Sequence, residues 1–461
     1  MNAKEGISIF SPGLRLGKLD ILSFVGVLLA STALGTAFGL GLKTFLAALA
    51  CGSLFVALVW DIRIVVPALI FLCPLGPRFA MGFGNLYLST AVLMVTYAAW
   101  AWRNSLLAQP YTLYLNRVVI AIAVFLGVLV VSAMQNFGVL LANKPNLLRF
   151  VQLFLYAGFF ALILPMSFSR REIKIMLLLF LMVGLVECIL GLARWRMSFA
   201  FYVNGTFEGG HSDFAIYAIM VAMLTLGVLL ESSSTAVAAA GIVAFGIMLC
   251  AIVFTFSRGG YLALTMGFLC LLAMPFRKRR KFGVAAVFVT VMTLFLVLGP
   301  SHIFYSLKVL VSALALKSFP ISFVSRLGMW KGVLIDFAEN PILGKGTWSY
   351  SLRDNFYMKV LGEAGIAGLA AFVWLLATIL REEWRAIRAR ADDDFVRGIA
   401  MGLLPATVGC LVVFELSGDF FLLHRFMGSF WIVLALTLKY CLGIGVRGGK
   451  FDNGAAKNSI H

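Results

Sequence analysis

The sequence predicts an all-α, polytopic membrane protein with about 12 to 14 transmembrane helices and one large helical loop on the outer side of the membrane. Three properties of the 461 residues lead to this fold class: 62% are apolar, only 13% are charged, and the mean hydropathy is +0.99. A soluble chain of this length carries charge on about a quarter of its residues. Because so few charges cannot solvate a globular surface, we expect a single integral membrane domain over residues 1–461.

Apolar runs define the spans, because a helix of about 20 residues is needed to cross the hydrocarbon layer. The third span is short and contains Pro67 and Pro74, which favour a broken or tilted helix. Residues 1–20 and 444–461 are predicted to be cytoplasmic tails. The predicted spans are, in order, 21–42, 44–60, 64–76, 86–102, 118–135, 149–166, 174–193, 214–230, 236–256, 260–275, 284–299, 357–380, 398–416 and 427–443.

Basic loops predict the orientation of the chain, since Lys and Arg are enriched on the cytoplasmic side of membrane proteins. The run Phe276–Lys281, the pair Arg170-Arg171 and the loop Arg381–Arg397 are rich in cations and are therefore predicted to be cytoplasmic. Alternation then places residues 300–356 on the outer side. The cytoplasmic loops explain part of the net charge of +18, so the basic composition does not indicate a nucleic-acid partner.

The outer loop 300–356 is too long to be a simple connection between two spans. Within it, Ser325–Ala338 has the pattern of an amphipathic helix, and this helix carries Arg326. Asn340-Pro341 is expected to end the helix, and Gly344–Gly346 predicts a turn. The loop is therefore expected to be folded.

Several arginines lie at the outer ends of predicted spans. Arg258 stands in the tight turn Ser257–Gly260, and Arg194 and Arg196 begin the outer loop 194–213. The simplest explanation of one such arginine is that it reaches the membrane interface. A turn this short needs no solubilising charge, however, and guanidinium groups bind phosphate through two parallel hydrogen bonds. Several arginines at one leaflet would suit a lipid-linked diphosphate.

Acids and histidines are predicted in the same layer, and they provide candidate bases for a glycosyl transfer from a sugar diphosphate. For most of the acids a salt bridge to a nearby arginine is the alternative interpretation. Glu187 differs because it lies inside the seventh span, where an acid is functional or paired; Arg194 follows it two helical turns later on the same face. The residues of this layer are Glu208, Asp213, Asp354, Glu363, Glu415, Asp419, His211, His302 and His424.

No metal or other cofactor is expected. The seven cysteines lie in apolar runs, without a Cys-x-x-Cys pair or a neighbouring histidine, and this pattern indicates neither a metal site nor disulfides. The run Asp392–Asp394 belongs to the Arg-rich cytoplasmic loop, where a solvated and charge-balanced segment is the better interpretation.

Four segments between residues 200 and 375 stand out as a set. They are Gly205–His211, the Ser-Arg-Gly turn within Thr255–Leu264, the stretch Arg326–Gly346, and Asp354–Leu369, which closes the long loop. In this order and topology they resemble the bacterial O-antigen ligase and O-antigen polymerase superfamily.

The resemblance implies a metal-independent glycosyltransferase of the bacterial inner membrane, with its active face in the periplasm. Its donor would be an undecaprenyl-diphosphate-linked oligosaccharide in the membrane lipid, and a chain-length regulator and export proteins would be its partners. The arginines that bind the diphosphate would correspond here to Arg258, Arg194, Arg196 and Arg326. The catalytic base would come from Asp354, Glu363 or His211.

Ligases of this superfamily place a histidine before the asparagine of the closing segment, whereas this sequence has Asp354 there. The difference favours a polymerase that joins repeat units of an exopolysaccharide, capsule or O-antigen. Transfer of a glycan to lipid A-core or another acceptor, as by a ligase, is the first alternative. A transporter of lipid-linked glycans is the second, although a transporter would place its charges at mid-bilayer.

Overall fold

The computed structural model describes residues 52–76, 78–81, 84–106, 114–198, 203–204, 210–274, 283, 286, 289–290, 293, 321–347, 355–389, 391, 393–413, 424–444 and 446–447. The chain divides into two compact units, residues 1–65 with 94–110 and residues 66–93 with 111–461. The predicted spans 21–42 and, for the most part, 284–299 lie outside the described residues. So do the tail 1–20 and most of the tail 444–461.

The structure is all-α, as predicted, with two short strand pairs. Strand β1 (Arg78–Met81) pairs antiparallel with β2 (Gly84–Tyr87), and β3 (Phe168–Ser169) pairs parallel with β4 (Val446–Arg447). The first ten helices are α1 Gly52–Trp60, α2 Val65–Leu75, α3 Leu88–Leu106, α4 Arg117–Met134, α5 Phe137–Ala142, α6 Lys144–Ile163, α7 Arg170–Ser198, α8 His211–Glu231, α9 Thr235–Val253 and α10 Arg258–Ala273. They are followed by α11 Ile321–Glu339, α12 Phe356–Arg388, α13 Asp394–Thr407 with its π-helical continuation Val408–Val413, and α14 His424–Leu442.

The chain is a polytopic membrane protein. Among the described residues, eight helical segments are long and apolar enough to span a membrane, or nine if the bent pair Gly52–Trp60 and Ile62–Leu75 is one broken span. Each of the eight coincides with a predicted span. The predicted span 260–275 corresponds to α10, which has only 16 residues. The eight are Arg117–Met134, Lys144–Ile163, Arg170–Arg196, His211–Glu231, Thr235–Val253, Phe356–Arg388, Asp394–Val413 and Arg425–Leu442.

The first unit contains α1 and the turn that follows it. Asp61 caps the 3-10 helix Ile62–Ile64 and forms an ion pair with Arg63 at 2.6 Å. The rings of Phe55 and Trp102 meet edge to face, with their centroids 6.1 Å apart.

The core of the second unit is built on close contact between α8 and α13. A Cβ atom on Gly227 would lie 2.2 Å from the carbonyl oxygen of Gly398 and 2.6 Å from the amide nitrogen of Gly402. Gly398 and Gly402 have the small-xxx-small spacing that lets membrane helices approach closely. Helix α8 is buried on nearly all sides.

Ion pairs link the C-terminal end of α8 to the N-terminal end of α13. Arg397 contacts Glu231 at 2.6 Å and Asp394 at 2.5 Å. Asp393 caps α13 and pairs with Lys174 of α7 at 2.6 Å. Asp393 and Asp394 therefore have structural partners, in agreement with the interpretation of the acidic run as charge-balanced.

Candidate active site

The predicted Ser-Arg-Gly turn precedes α10 and has an unusual backbone. Phe256 has a positive φ of 53°, which is rare for a bulky residue and marks local strain, often near functional sites. Ser257 then caps α10, its Oγ accepting a hydrogen bond from the amide of Gly260 at 3.2 Å. Arg258 is consequently the first residue of α10, and its side chain is exposed.

The end of α7 contacts this turn. The ring of Trp195 stacks on that of Phe254, with centroids 4.6 Å apart, and the amide of Val203 donates to the carbonyl of Phe254 at 2.9 Å. Arg194 and Arg196, both exposed, flank Trp195 in the sequence. These two predicted arginines therefore lie on an element that touches the turn preceding Arg258.

The start of α8 lies beside the start of α10. A Cβ atom on Gly260 would be 3.3 Å from the Cβ of Ala215, so the two helices approach closely within their first turns. His211, the first residue of α8, is half-buried at this end. Four predicted site residues, Arg194, Arg196, His211 and Arg258, thus belong to three elements that meet at one end of the bundle. We call this end the cation layer.

Arg326 lies on α11, the predicted amphipathic helix of the long loop. The helix ends at Glu339, so Asn340-Pro341 terminates it as predicted, and Gly344 and Gly346 have positive φ values of 68° and 99° in the turn that follows. Parts of the loop, residues 300–320 and 348–354, lie outside the described residues.

Lys345 ties this turn back to α11. Its ammonium group bonds to the carboxylate of Asp336 and lies 3.7 Å from that of Glu339. The hydrogen bond to Asp336 is the main reason that the pKa of Lys345 is raised above its usual value. The lysine of the Gly-Lys-Gly turn is therefore occupied in holding the turn to the helix.

The same turn docks into a break in α12. Gly365 has a φ of 65°, which interrupts the helix. Before the break, the carbonyls of Gly362 and Glu363 accept bonds from the amides of Lys345 and Gly346 at 2.9 and 3.0 Å. These bonds satisfy carbonyl groups that an interrupted helix leaves without helical partners.

Two further bonds complete the docking on the other side of the break. The amide of Ile366 donates to the carbonyl of Pro341 at 2.9 Å, and that of Ala367 donates to the carbonyl of Ile342 at 3.2 Å. The turn and the break therefore form one unit held by four main-chain hydrogen bonds.

Two ionisable residues are buried in the first turns of α12. Glu363 is only 2% exposed, and Lys359, one turn earlier, is 5% exposed. Glu363 was predicted as a site residue from the sequence and Lys359 was not, although their four-residue spacing in an otherwise apolar stretch is a usable signal. Asp354, the other predicted base, lies outside the described residues, directly before Asn355, which caps α12 by accepting from the amide of Met358 at 3.1 Å.

The π-helix Val408–Val413 connects α12 to the helices of the cation layer. Tyr357 of α12 donates its hydroxyl to the carbonyls of Leu411 and Val412 at 3.2 and 3.1 Å. Cys410 Sγ lies 3.5 Å from the carbonyl oxygen of Ile216 in α8. The carbonyl groups of the π-helix accept hydrogen bonds from α12, and the π-helix also contacts α8. It therefore links the start of α12 to the bundle that carries Arg258.

Glu187 is fully buried in α7, and Arg425 of α14, only 2% exposed, brings its Nη1 within 3.6 Å of the Glu187 carboxylate. The sequence had offered Arg194 as the cation nearest to Glu187, and only the fold could supply a partner so distant in the chain. Among the described residues, Nη1 and Nη2 of Arg425 and the buried hydroxyl of Tyr217 have no hydrogen-bond partner.

The remaining acids of the predicted outer layer, Glu208, Glu415 and Asp419, lie outside the described residues, as does His302. Asp213 lies in the first turn of α8, where its carboxylate accepts a bond from the amide of Gly210 at 3.3 Å. This contact is a helix cap, so it gives Asp213 a structural role.

Comparison with known protein families finds a match within this chain. Residues 243–373 match the O-antigen ligase family. The segment is an O-antigen ligase domain. The predicted resemblance is thereby confirmed, and the chain has an O-antigen ligase or polymerase type of function. A comparison with curated proteins finds no match.

The O-antigen ligase domain contains the predicted site residues Arg258, Arg326, Asp354 and Glu363. It therefore also contains the strained turn at Phe256 and the turn Gly344–Gly346 that docks on α12. Arg194, Arg196 and His211 precede it in the sequence. The cation layer is thus assembled partly from α7 and the start of α8, which stand outside the matched segment.

Proposed function

We propose that this protein is a periplasmic-face glycosyltransferase of the bacterial inner membrane that polymerises oligosaccharide repeat units carried on undecaprenyl diphosphate. The product would be a surface polysaccharide: an exopolysaccharide, a capsule or an O-antigen. The observation that carries the proposal is the position of Arg258, exposed at the start of α10 within the O-antigen ligase domain.

The position of Arg258 is unfavourable for helix stability. The N-terminal end of a helix carries a partial positive charge, so a cation there is repelled. Arg194 and Arg196 lie on a helix that contacts the preceding turn, and they add like charge to the same end. The like charges at this end of the bundle are explained if a polyanion binds there, and a diphosphate supplies charge and geometry that suit guanidinium groups.

In the proposed reaction, a hydroxyl of the acceptor sugar attacks the anomeric carbon of the donor. A new carbon–oxygen bond forms there while the bond from that carbon to the diphosphate oxygen breaks. The base takes the hydroxyl proton, and the lipid diphosphate leaves with its negative charge. The arginines Arg258, Arg194, Arg196 and Arg326 stabilise this developing charge directly.

We assign the role of base to Asp354. Glu363 is buried, and its main-chain carbonyl is bonded to the docked turn, so its position supports the turn rather than contact with a sugar hydroxyl. His211 is half-buried in the cation layer and is the alternative base. The partners that we propose are the lipid-linked oligosaccharide, membrane lipid, a chain-length regulator and export proteins.

A ligase-type transfer to lipid A-core or another acceptor is the second candidate, because the matched family is described as O-antigen ligase. The same match does not favour the third function considered from the sequence, transport of the lipid-linked glycan.

Deletion of the gene and analysis of the lipid-linked glycans that accumulate would distinguish these functions. A single unpolymerised repeat unit on its carrier, exposed to the periplasm, is expected for a polymerase. Long chains that remain on the carrier would instead indicate a ligase, and accumulation on the cytoplasmic face would indicate a transporter. Unchanged lipid-linked glycans would contradict all three.

A further inference from the structure

Three helices bring polar side chains together in the core of the second unit. Helix α14 packs against both α7 and α8, and α7 packs against α8. At this junction Nη1 of Arg425 lies 3.6 Å from the carboxylate of Glu187, which is too far for a hydrogen bond. Within the described part of the chain, neither Nη1 nor Nη2 of Arg425 has a hydrogen-bond partner. The two charges therefore attract each other without a direct bond between these atoms.

Helices α7 and α8 approach each other closely at two points. A Cβ atom on Gly184 would lie 2.5 Å from Cγ1 of Val221, and one on Gly191 would lie 3.3 Å from Cζ of Phe214. The later glycine of α7 meets the earlier residue of α8, so the two helices run in opposite directions. The two contacts are separated by two helical turns along each helix.

Glu187 and Tyr217 stand about midway between these two contacts. Each residue is one helical turn from the contact on either side of it, so Tyr217 lies at the level of Glu187. Tyr217 is fully buried, and its hydroxyl has no hydrogen-bond partner among the described residues. The phenol interacts electrostatically with both Glu187 and Arg425. Tyr217 therefore belongs to the same group of polar side chains.

Ser429 adds a second hydroxyl, one turn after Arg425 on the same face of α14. It is only 1% exposed. A buried serine or threonine in a helix can donate to the carbonyl one turn earlier, as Thr225 of α8 donates to Val221 at 2.9 Å. The Ser429 hydroxyl makes no hydrogen bond within the described residues. We call Glu187, Tyr217, Arg425 and Ser429 the core cluster.

The charges of the core cluster restrict the kind of ligand that it can bind. Glu187 balances the charge of Arg425, so an added anion or cation would leave a net charge in apolar surroundings, where charge is costly. The guanidinium group only donates hydrogen bonds, the carboxylate accepts them, and a hydroxyl does both. A small neutral ligand that donates and accepts fits this set. Water has these properties, and in a buried site it needs about two to four polar partners.

We propose that the core cluster binds an ordered water molecule between α7, α8 and α14. The water accepts a hydrogen bond from Nη1 of Arg425 and donates one to the carboxylate of Glu187, which closes the separation of 3.6 Å between them. The hydroxyls of Tyr217 and Ser429 complete its partners. A buried ion pair stabilises a fold only if its remaining protons and lone pairs are also bonded, and the water supplies those bonds. The inference is independent of the proposed function.

X-ray hydroxyl-radical footprinting of the wild-type protein in detergent tests this site directly. Radicals that form from a bound water modify the side chains beside it, even where bulk solvent does not reach. Tyr156 is the matched control, because it is only 3% exposed and its hydroxyl lies 2.7 Å from that of Ser89. We expect Tyr217 to be modified while Tyr156 stays at the background level. Equal, background modification of the two tyrosines would overturn the proposal.

The variant Tyr217→Phe tests the same site by the sign of its effect on stability. Without a bound water, the Tyr217 hydroxyl is unsatisfied and destabilises the fold, so its removal would raise the melting temperature. With the water, the hydroxyl is one of its partners, and its removal should lower the melting temperature by about 1 to 2 °C. Ser429→Ala should act in the same direction. The control Thr225→Val removes a hydroxyl that is satisfied within α8 and should behave as the wild type. An unchanged or higher melting temperature in Tyr217→Phe, or an equal fall in Thr225→Val, would overturn the proposal.

Discussion

Replacing Arg258 with alanine should separate function from stability. The exposed arginine is the first residue of α10, where the helix dipole opposes a cation by about 0.3 kcal/mol when solvent screens the charge. Its removal should leave the free energy of unfolding unchanged or raise it by a few tenths of a kcal/mol. A structural arginine would show the opposite effect, because its removal would destabilise the fold.

The loss of turnover in Arg258→Ala can be estimated from the hydrogen bonds that the guanidinium group would make to phosphate. Two hydrogen bonds from a guanidinium group to a phosphate contribute about 1.5 to 3 kcal/mol each, and exposure favours the lower value. The expected loss of about 3 kcal/mol corresponds to roughly a 10²-fold drop in turnover. Arg258→Lys keeps the charge but loses the paired geometry, so we expect an intermediate loss of about 10-fold.

The assay combines polysaccharide chain length in cells with thermal unfolding of the purified protein in detergent. Arg117→Ala is a matched control, because Arg117 is likewise exposed and is likewise the first residue of a helix with a side-chain cap. Normal chain length in Arg258→Ala, or an equal loss of polysaccharide in Arg117→Ala, would refute a role of Arg258 in binding the diphosphate.

Three further predictions concern the framework of the site. Arg425→Met and Glu187→Gln should each lower the free energy of unfolding by about 3 to 5 kcal/mol, and the double variant should lower it by much less than the sum of the two. Additive losses, measured by unfolding in detergent, would exclude a coupled pair. Gly365→Ala places a Cβ 2.3 Å from a carbonyl oxygen at a φ of 65° and should abolish polysaccharide. The control Gly328→Ala, which has open space around it, should keep normal polysaccharide. Equal activity of the two variants would contradict the docking of the Gly344–Gly346 turn on α12. Burial is the largest single influence on the pKa of Asp393 and raises it, but the hydrogen bonds from Lys174 and from the amides of Val396 and Phe395, together with the charge of Lys174, outweigh burial in sum and hold the pKa below its usual value of 3.8. The pair should therefore stabilise the wild type over Asp393→Asn by less than about 1 kcal/mol above that pH. Thermal unfolding should show the difference vanish as the pH falls through the lowered pKa.

Composition and apolar run length were sufficient to predict the class of fold and eight of its spans. Long apolar runs leave the chain little choice in a membrane, because a helix satisfies every backbone group within the segment. The end of α11 at Glu339 and the turn at Gly344 were equally visible, since Asn-Pro and Gly-x-Gly restrict the backbone locally. The break in α12 was not, because Gly365 stands in a run of residues that is compatible with a continuous helix.

The site was predictable only in part because its contacts join distant parts of the chain. The sequence suggested an outer cluster of arginines, but it did not indicate that Trp195 stacks on Phe254 and so brings α7 to the strained turn. The ion pair between Glu187 and Arg425 depends on the depth at which α14 begins. Such helix depths and rotations follow from packing against neighbouring helices, which a hydropathy pattern does not encode.

The arrangement suggests a division of labour between the O-antigen ligase domain and the helices around it. The domain supplies the strained turn, the docked turn and the closing segment. Elements outside it supply Arg194 and Arg196 for the cation layer, and the side chains of Ser132 and Asn136, which donate to the carbonyls of Glu363 and Thr347. A transferase must hold a charged leaving group and an acceptor base at a fixed separation. In this protein α7, which lies outside the matched segment, would carry part of the first task, so replacing Arg194 or Arg196 with alanine should lower turnover although the O-antigen ligase domain itself is unchanged.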